Sequence, residues 1–322
     1  MKKGKFTVRN RIVLIIAGIV VLLIAVPVVI TQFMPDESRT LRGADLKELT
    51  YREVTFPNVI QSISLTGMLF LPEGDGPFPA VVVIHGSGTS RRDNPWYLTF
   101  TSYLQDQGIA VLLPDKRGSE SSEGDWRTAS FQDLATDTLS AIAYLRAQYP
   151  DLISDIGILG ASQGGQIAPI VATQSDDLAF VINVVGSATP FNDALLYEEH
   201  NNLREIGFLP GISNLIAYPS SFYIRKVAQK DFWDAVGNWD PLPYWEKVSI
   251  PVLVLYGEID TNVPSQASAD RLEALENPNI RVVIFEDSGH ALEDPVGTGD
   301  SYFRQDALEL IDDFVVEATS AP

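Results

Sequence analysis

Six short, mostly apolar runs recur along the chain, at 80–84, 109–113, 156–159, 180–185, 252–256 and 280–285. A strand that is apolar throughout has no face to offer water, so it must be covered on both sides. Between the runs lie stretches with apolar residues at helical spacing: 94–107, 130–148, 265–276, 301–317, and a helix starting at or just after Ser162. In the second of these, Leu134, Thr138, Leu139, Ile142 and Leu145 share one face. Doubly buried strands alternating with helices predict an α/β domain, a mostly parallel sheet with helices on both faces. Two earlier strands, over 46–56 and 59–71, predict an antiparallel edge. No internal repeat is found.

One stretch breaks the alternation. More than sixty residues separate the run ending at Val185 from the one starting at Val252, and they are rich in aromatics, among them Phe191, Phe232, Trp233 and Trp239. A connection that long inside a compact domain needs a role of its own. Its helical character predicts a cap inserted over a site, at about 187–247.

The first 34 residues have a different composition. From Ile12 to Met34 there are 23 residues without a charge. As a helix they would span about 34 Å, enough to cross a bilayer core of about 30 Å. Lys2, Lys3, Lys5, Arg9 and Arg11 precede the run, and Asp36 and Glu37 follow it. The expectation is therefore a cytoplasmic basic segment at 1–11, one transmembrane anchor at 12–34, a polar linker at 35–45 and an extracytoplasmic domain at 46–322. A cleaved signal peptide fits less well, because the run is long and ends in Ile30-Thr31-Gln32-Phe33-Met34, a poor cleavage site.

Charge and cysteine content exclude several functions. The formal charge is −19. Residues 1–35 contribute five bases and no acid, so the rest holds 18 bases against 42 acids, a net of −24. Such a surface repels phosphate backbones, and nucleic acid is not expected as a partner. With no cysteine, a disulfide framework, a thiolate metal site and a cysteine nucleophile are all excluded.

The strongest chemical signal is Gly160-Ala161-Ser162-Gln163-Gly164, a G-x-S-x-G between a buried strand and a helix. On a sharp strand-to-helix turn the serine hydroxyl stands proud, and flanking glycines let other backbone pass closely. The helix N-terminus behind it favours the oxyanion formed when the serine attacks a carbonyl.

A serine hydroxyl needs a base. The chain has three histidines, His85, His200 and His290, and only His290 follows both the serine and the last predicted strand. Asp260, at the end of the 252–256 strand, is the candidate acid that orients the imidazole, with Glu258 and Asp287 as alternatives. The expected oxyanion donors are the backbone N–H of Gln163 and that of Gly86 or Ser87, in the bend His85-Gly86-Ser87-Gly88. His85 itself reads as structural.

Together these segments resemble the α/β-hydrolase superfamily, in the region of serine aminopeptidase-like, dienelactone hydrolase-like and prolyl oligopeptidase-like catalytic domains. The resemblance covers about 46–318. It rests on HGSG at 85–88, DKRGSESSEG at 115–124, GASQGG at 160–165, IPVLVLYGEIDTNVP at 250–264 and DSGH at 287–290. It implies an α/β-hydrolase fold, a Ser162–His290–Asp260 triad, an acyl-enzyme mechanism, and no metal or organic cofactor. The 115–124 segment is similar to a family loop that shapes the fold near the site.

Three functions follow as expectations. The first is a carboxylesterase-type acyl hydrolase, whose aromatic cap suits apolar groups. The second is an aminopeptidase-like enzyme in which Glu198 and Glu199 bind a free amino terminus. The third is a catalytically silent binding domain at the membrane. The expected substrate is a small ester or peptide, and the sequence leaves the oligomeric state open.

Overall fold

The structure, a computed structural model, describes residues 12–15, 18, 39–294 and 299–320. Most of the expected anchor at 12–34, and all of the basic segment at 1–11, lie outside the described residues. Among the described residues no helix is long and apolar enough to cross a membrane.

The apolar runs form strands β4 (Phe78–Ile84), β5 (Ala110–Pro114), β6 (Ile153–Ala161), β7 (Leu178–Val184), β8 (Val252–Gly257) and β9 (Ile280–Phe285). With β2 (Arg52–Asn58) and β3 (Ile63–Phe70) they make one eight-stranded sheet in the order β2-β3-β5-β4-β6-β7-β8-β9. β2 and β3 are antiparallel, and so are β3 and β5; every other pairing is parallel. This is the doubly covered α/β-hydrolase sheet with an antiparallel edge.

Strand β4 shows why the sheet needs cover on both sides. Ala80, Val82 and Ile84 pack into a core with α2 (Phe131–Gln148) and α3 (Gln163–Ala172). Val81 and Val83 point the other way, into a core with α1 (Pro95–Asp106) and α9 (Gln305–Ser320). Each buried valine contributes roughly 1.5–3 kcal/mol, and polar replacements on either face would forfeit it. Helix α2 begins where its sequence provides a reciprocal cap. The Ser130 hydroxyl accepts from the Asp133 N–H, and Asp133 accepts from the Ser130 N–H.

The long insertion between β7 and β8 carries α4 (Phe191–Glu205), α5 (Pro210–Tyr223), a π-turn segment (Ile224–Ala228), α6 (Lys230–Val236) and α7 (Leu242–Trp245). Helix α8 (Ser265–Glu273) follows β8. α4 and α5 have a small core of their own around Leu203, Ile216 and Ala217. Edge-on contacts of Phe131 with Phe191 and Trp239 fasten the insertion to α2.

Three expectations need correction. Residues 46–48 form a short 3-10 turn, so the strand expected over 46–56 starts at Arg52. The stretch expected as a linker contributes strand β1 (Arg39–Arg42), and the start of the helix expected at 301–317 is strand β11 (Gly299–Phe303). β1 and β11 pair in parallel, and β10 (Glu293–Asp294) joins β11 from its other side. A pairing across about 260 residues leaves no local pattern to read.

Candidate active site

Strand β6 ends directly at the elbow. Ser162 has φ +51° and ψ −117°, a strained conformation for a residue with a side chain, and it lifts the hydroxyl off the backbone path. Its N–H donates to the Val184 carbonyl of β7, and the Gly165 N–H donates to its carbonyl. The glycines are required by close approach. A Cβ on Gly164 would sit 2.0 Å from the Ile84 carbonyl oxygen, and one on Gly160 would sit 2.4 Å from that of Gly164. Helix α3 can start this close to β4 only if both positions lack side chains.

The His290 loop follows β9 and the Asp260 loop follows β8, so both reach the edge where β6 ends. His290 Nε2 lies 3.0 Å from Ser162 Oγ, and His290 Nδ1 lies 2.8 Å from Asp260 Oδ2. The structure thus brings the three residues into one hydrogen-bonded line. Asp260 is 1% exposed, and its other oxygen accepts from the N–H groups of Asn262 and Val263. That bonding holds a buried carboxylate with one oxygen free for the imidazole. Burial acts to lower the His290 pKa, but Asp260, then Glu198 and Glu293, favour the imidazolium and raise it above 6.5.

Two aromatic residues brace these loops. Trp96 Nε1 donates to the Ala291 carbonyl, beside His290. Tyr197, on cap helix α4, donates its hydroxyl to the Asp260 carbonyl, and Asn201 on the same helix donates to Thr261. The cap is therefore bonded to the loop that carries the acid.

The oxyanion expectations divide. The Gly86 N–H donates to the Tyr97 hydroxyl at 2.8 Å, so it is occupied and does not point at substrate. Ser87 and Gln163 both line the pocket at Ser162. Lys116, from the DKRG stretch, lies between them. Its Nζ donates to the Gly86 carbonyl at 2.7 Å and to Gln163 Oε1 at 2.8 Å, and it lies 5.2 Å from the centre of the Trp126 ring. Burial lowers its pKa to about 7. The sequence marks the 115–124 segment only as a loop that shapes the fold near the site and singles out no role for this lysine.

The other named residues fall elsewhere. Glu258 accepts from the Asp287 N–H, so these two alternatives to Asp260 are joined to each other. His85 Nε2 lies 2.6 Å from the Pro114 carbonyl, and burial lowers its pKa to about 4, which keeps the ring neutral. His200 Nδ1 is 3.0 Å from the Ser213 hydroxyl inside the cap. Among the described residues no cluster of His, Asp and Glu is arranged to hold a metal.

Ser162 opens into a cavity of about 460 Å³. One wall is aromatic and aliphatic: Trp126, Phe191, Ile224, Phe232 and Trp233, with the Phe191 and Trp233 rings stacked at 4.5 Å. The lining also includes Glu198 and Glu199 of α4, together with Asn262. Burial, then the neighbouring Glu199, pushes the Glu198 carboxyl up to about 7. The Glu199 carboxyl is raised by burial and accepts from the Ser220 hydroxyl of α5. The cavity thus combines apolar rings with buried acids.

Residues 139–297 match the family described as BAAT / Acyl-CoA thioester hydrolase C terminal, and residues 38–168 match Esterase FrsA-like. Esterase EstD of Thermotoga maritima is 23% identical over 80% of this chain and 67% of its own length. Dipeptidyl aminopeptidase BIII of Pseudoxanthomonas mexicana is 26% identical over 69% of this chain. The chain thus spans about two thirds of the esterase and 32% of the aminopeptidase. Among solved structures, Pyrococcus furiosus esterase Pf2001 superposes with a TM-score of 0.62 at 18% identity, over 88% of this chain and 97% of that one.

Proposed function

The chain belongs to the α/β-hydrolase superfamily, and from that premise we propose that it is a serine hydrolase of carboxylic esters. One observation carries the reading: the unbroken line from the Ser162 hydroxyl through the His290 ring to the buried Asp260 carboxylate. His290 Nε2 takes the Ser162 proton as Oγ attacks the ester carbonyl, and Asp260 steadies the imidazolium. The carbonyl oxygen becomes an oxyanion held by the N–H groups of Ser87 and Gln163. Collapse expels the alcohol with the proton from His290 and leaves Ser162 acylated. Water, activated by the same imidazole, then releases the acid.

Lys116 serves the oxyanion hole as a positioning residue. The carbonyl of Gly86 and the N–H of Ser87 belong to one peptide unit, so a donor on the carbonyl turns and polarises that N–H toward the site. The second bond, to Gln163 Oε1, ties down the residue whose N–H is the other donor. Two donors from distant segments are thereby held at one spacing.

The aromatic wall supports an apolar acyl or aryl group. A second reading, an aminopeptidase-like enzyme, is favoured by Glu198 and Glu199, which face the same cavity and could receive an ammonium group. The acids argue against the polyphosphate of a coenzyme A thioester, as does a domain at −24. Rates on short acyl esters and on aminoacyl anilides separate the two readings.

The run at 12–34, with five bases before it and Asp36 and Glu37 after it, supports a single-pass anchor with the domain outside the cytoplasm. Protease applied to intact cells should then cut the domain but not the N-terminus. A fluorophosphonate probe tests the chemistry: it should label the native protein and leave Ser162→Ala unlabelled. Equal labelling of both would end the assignment, and no labelling of either would favour the silent binding domain.

A further inference from the structure

We propose that the outer face of the cap is a lipid-docking surface, on which the domain sits against a bilayer with its active-site edge toward the lipid. The inference rests on the anchor reading above for its geometry and on the cap itself for its chemistry.

The cap concentrates exposed apolar side chains. Leu209, Ile212, Leu215, Tyr218, Phe222 and Val227 all stand in solvent, Leu215 at 73% and Phe222 at 58% exposure. Those from Ile212 to Phe222 recur every three or four residues along α5, so they form a stripe. The opposite face of the helix is buried through Ser213, Ile216, Ala217 and Ser220. A stripe of large apolar side chains on one outer face is uncommon for a protein surface and marks something it meets.

Charge indicates what that is. Residues 206–230 contain no Asp or Glu, in a chain that has 42. They contain Arg225, Lys226 and Lys230. Asp234 pairs with both lysines and Asp231 stands beside Lys230, so two acids stand against three bases where the rest of the domain is strongly acidic. An apolar stripe flanked by bases, cut out of a strongly acidic domain, suits the acyl-chain and headgroup boundary of a bilayer.

The path of the chain brings lipid to this side. Residues 35–38 separate the apolar run from Arg39, and four residues reach no more than about 14 Å. Arg39 pairs with Gly299 on β11, and β11 pairs with β10, which starts three residues after His290. Arg42 pairs with Tyr302, which pairs with Asp294, so strand β1 runs from its entry at Arg39 toward the His290 loop one short strand away, and a membrane-inserted run would tether the domain within a strand's length of that edge. Two other exposed apolar features project from the same edge. Val59 and Ile60 lie in the turn where β2 and β3 run past the end of β5, and Ile259 follows the end of β8. A site held this way would draw esters that partition into lipid.

The absence of cysteine makes the test clean. In the full chain, a single cysteine is placed at Leu215→Cys or, as control, at Asp151→Cys, where β6 begins on the far edge of the sheet, and labelled with an environment-sensitive fluorophore. Both are reconstituted into vesicles of phosphatidylcholine with phosphatidylglycerol, with and without brominated acyl chains. The label at 215 should shift to the blue and be quenched by the brominated lipid, and the label at 151 should do neither. A 215 label that stays water-like on vesicles the protein has entered overturns docking and leaves the anchor standing. A protein that never joins the vesicles overturns both. A 215 shift that appears without lipid and grows with protein concentration assigns the face to a second copy of the chain and also overturns the proposal.

A second measurement keeps the esterase reading separate. Leu215→Asp with Phe222→Asp should slow hydrolysis of an ester dissolved in vesicles by roughly tenfold or more, since each apolar side chain lost from lipid is by itself on that scale. Hydrolysis of a short water-soluble ester should be unchanged. Equal rates on the vesicle ester overturn docking; no activity on either ester, even in the native chain, overturns the esterase reading instead.

Discussion

The edge where β6, β8 and β9 end and the cap that covers it are built on opposite principles. The edge uses small residues and backbone bonds. Gly160 and Gly164 permit contacts that a methyl group would forbid, and the Asp260 carboxylate is held by two amide N–H groups. The cap uses large aromatics and buried acids, with Phe191 stacked on Trp233 and Glu199 enclosed against Ser220. Backbone geometry tolerates little change, so the edge sets the reaction. Side-chain packing can be exchanged at constant volume, so the cap sets what enters. The two are joined by the bonds from Tyr197 to the Asp260 carbonyl and from Asn201 to the Thr261 carbonyl, and by the apolar core they share.

Substitutions that respect or cross this division test it. The largest effect should come from the edge. Asp260→Asn should lower kcat by about 10⁴-fold, since the imidazole would lose the partner that selects its tautomer and stabilises its charge. The thermal midpoint should move little by comparison, and steady-state kinetics with a melting curve check both. A loss of only a few fold would mean that the hydrogen-bonded line is not the working one.

Lys116→Met comes next. It should lower kcat by roughly ten- to a hundredfold, below the 10²–10³ typical of a deleted oxyanion donor, because both N–H groups remain but are less well aimed. KM should change less than kcat, and affinity for a boronic acid that mimics the tetrahedral state should fall in parallel with kcat. Lys116→Arg should recover part of the loss. A fall in stability with kcat intact would reduce Lys116 to a packing role.

On the cap, Trp233→Ala should raise KM for bulky acyl or aryl esters by about tenfold while sparing short acetyl esters, because it removes one wall of the cavity and no reacting group. An equal loss on both substrates would erase the distinction between the regions.

The smallest effect joins the regions. Glu198 is one of the charges that raise the His290 pKa. The imidazole must be neutral to act as base, so the acid limb of kcat/KM should lie above pH 6.5. Glu198→Gln removes a charge that favours the imidazolium, so the limb should move to lower pH. A pH–rate profile of both proteins reads the shift, and a limb that stays in place would separate the cap acids from the triad. If the aminopeptidase reading holds, the same variant should lose activity on aminoacyl substrates far more than on esters.

The fold was legible where the pattern was local. Each buried strand carries its own apolar run, and the helical spacing of Leu134, Leu139, Ile142 and Leu145 announces α2. Ser162, Asp260 and His290 were legible as candidates because each follows a recognisable strand, and the structure places them in hydrogen-bonding reach of one another. β1 and β11 were missed because short strands of four and five mostly polar residues have no signature without their partners. Lys116 was missed for a related reason: its burial comes from Trp126 and the elbow, neither of which is near it in a pattern that can be counted.

The chain by itself determined the order of the buried strands and their helices and the candidates for nucleophile, base and acid, because these depend on short-range periodicity and on residue chemistry. Only the tertiary structure decided that Gly86 gives its N–H to Tyr97, that Lys116 spans two loops, and that Glu198 and Glu199 face the same cavity as Ser162. Those outcomes depend on which backbone groups are left unpaired when distant segments meet, and on how deeply a charge is taken from water. Neither is a property of any stretch of sequence until the sheet has brought its loops to one edge.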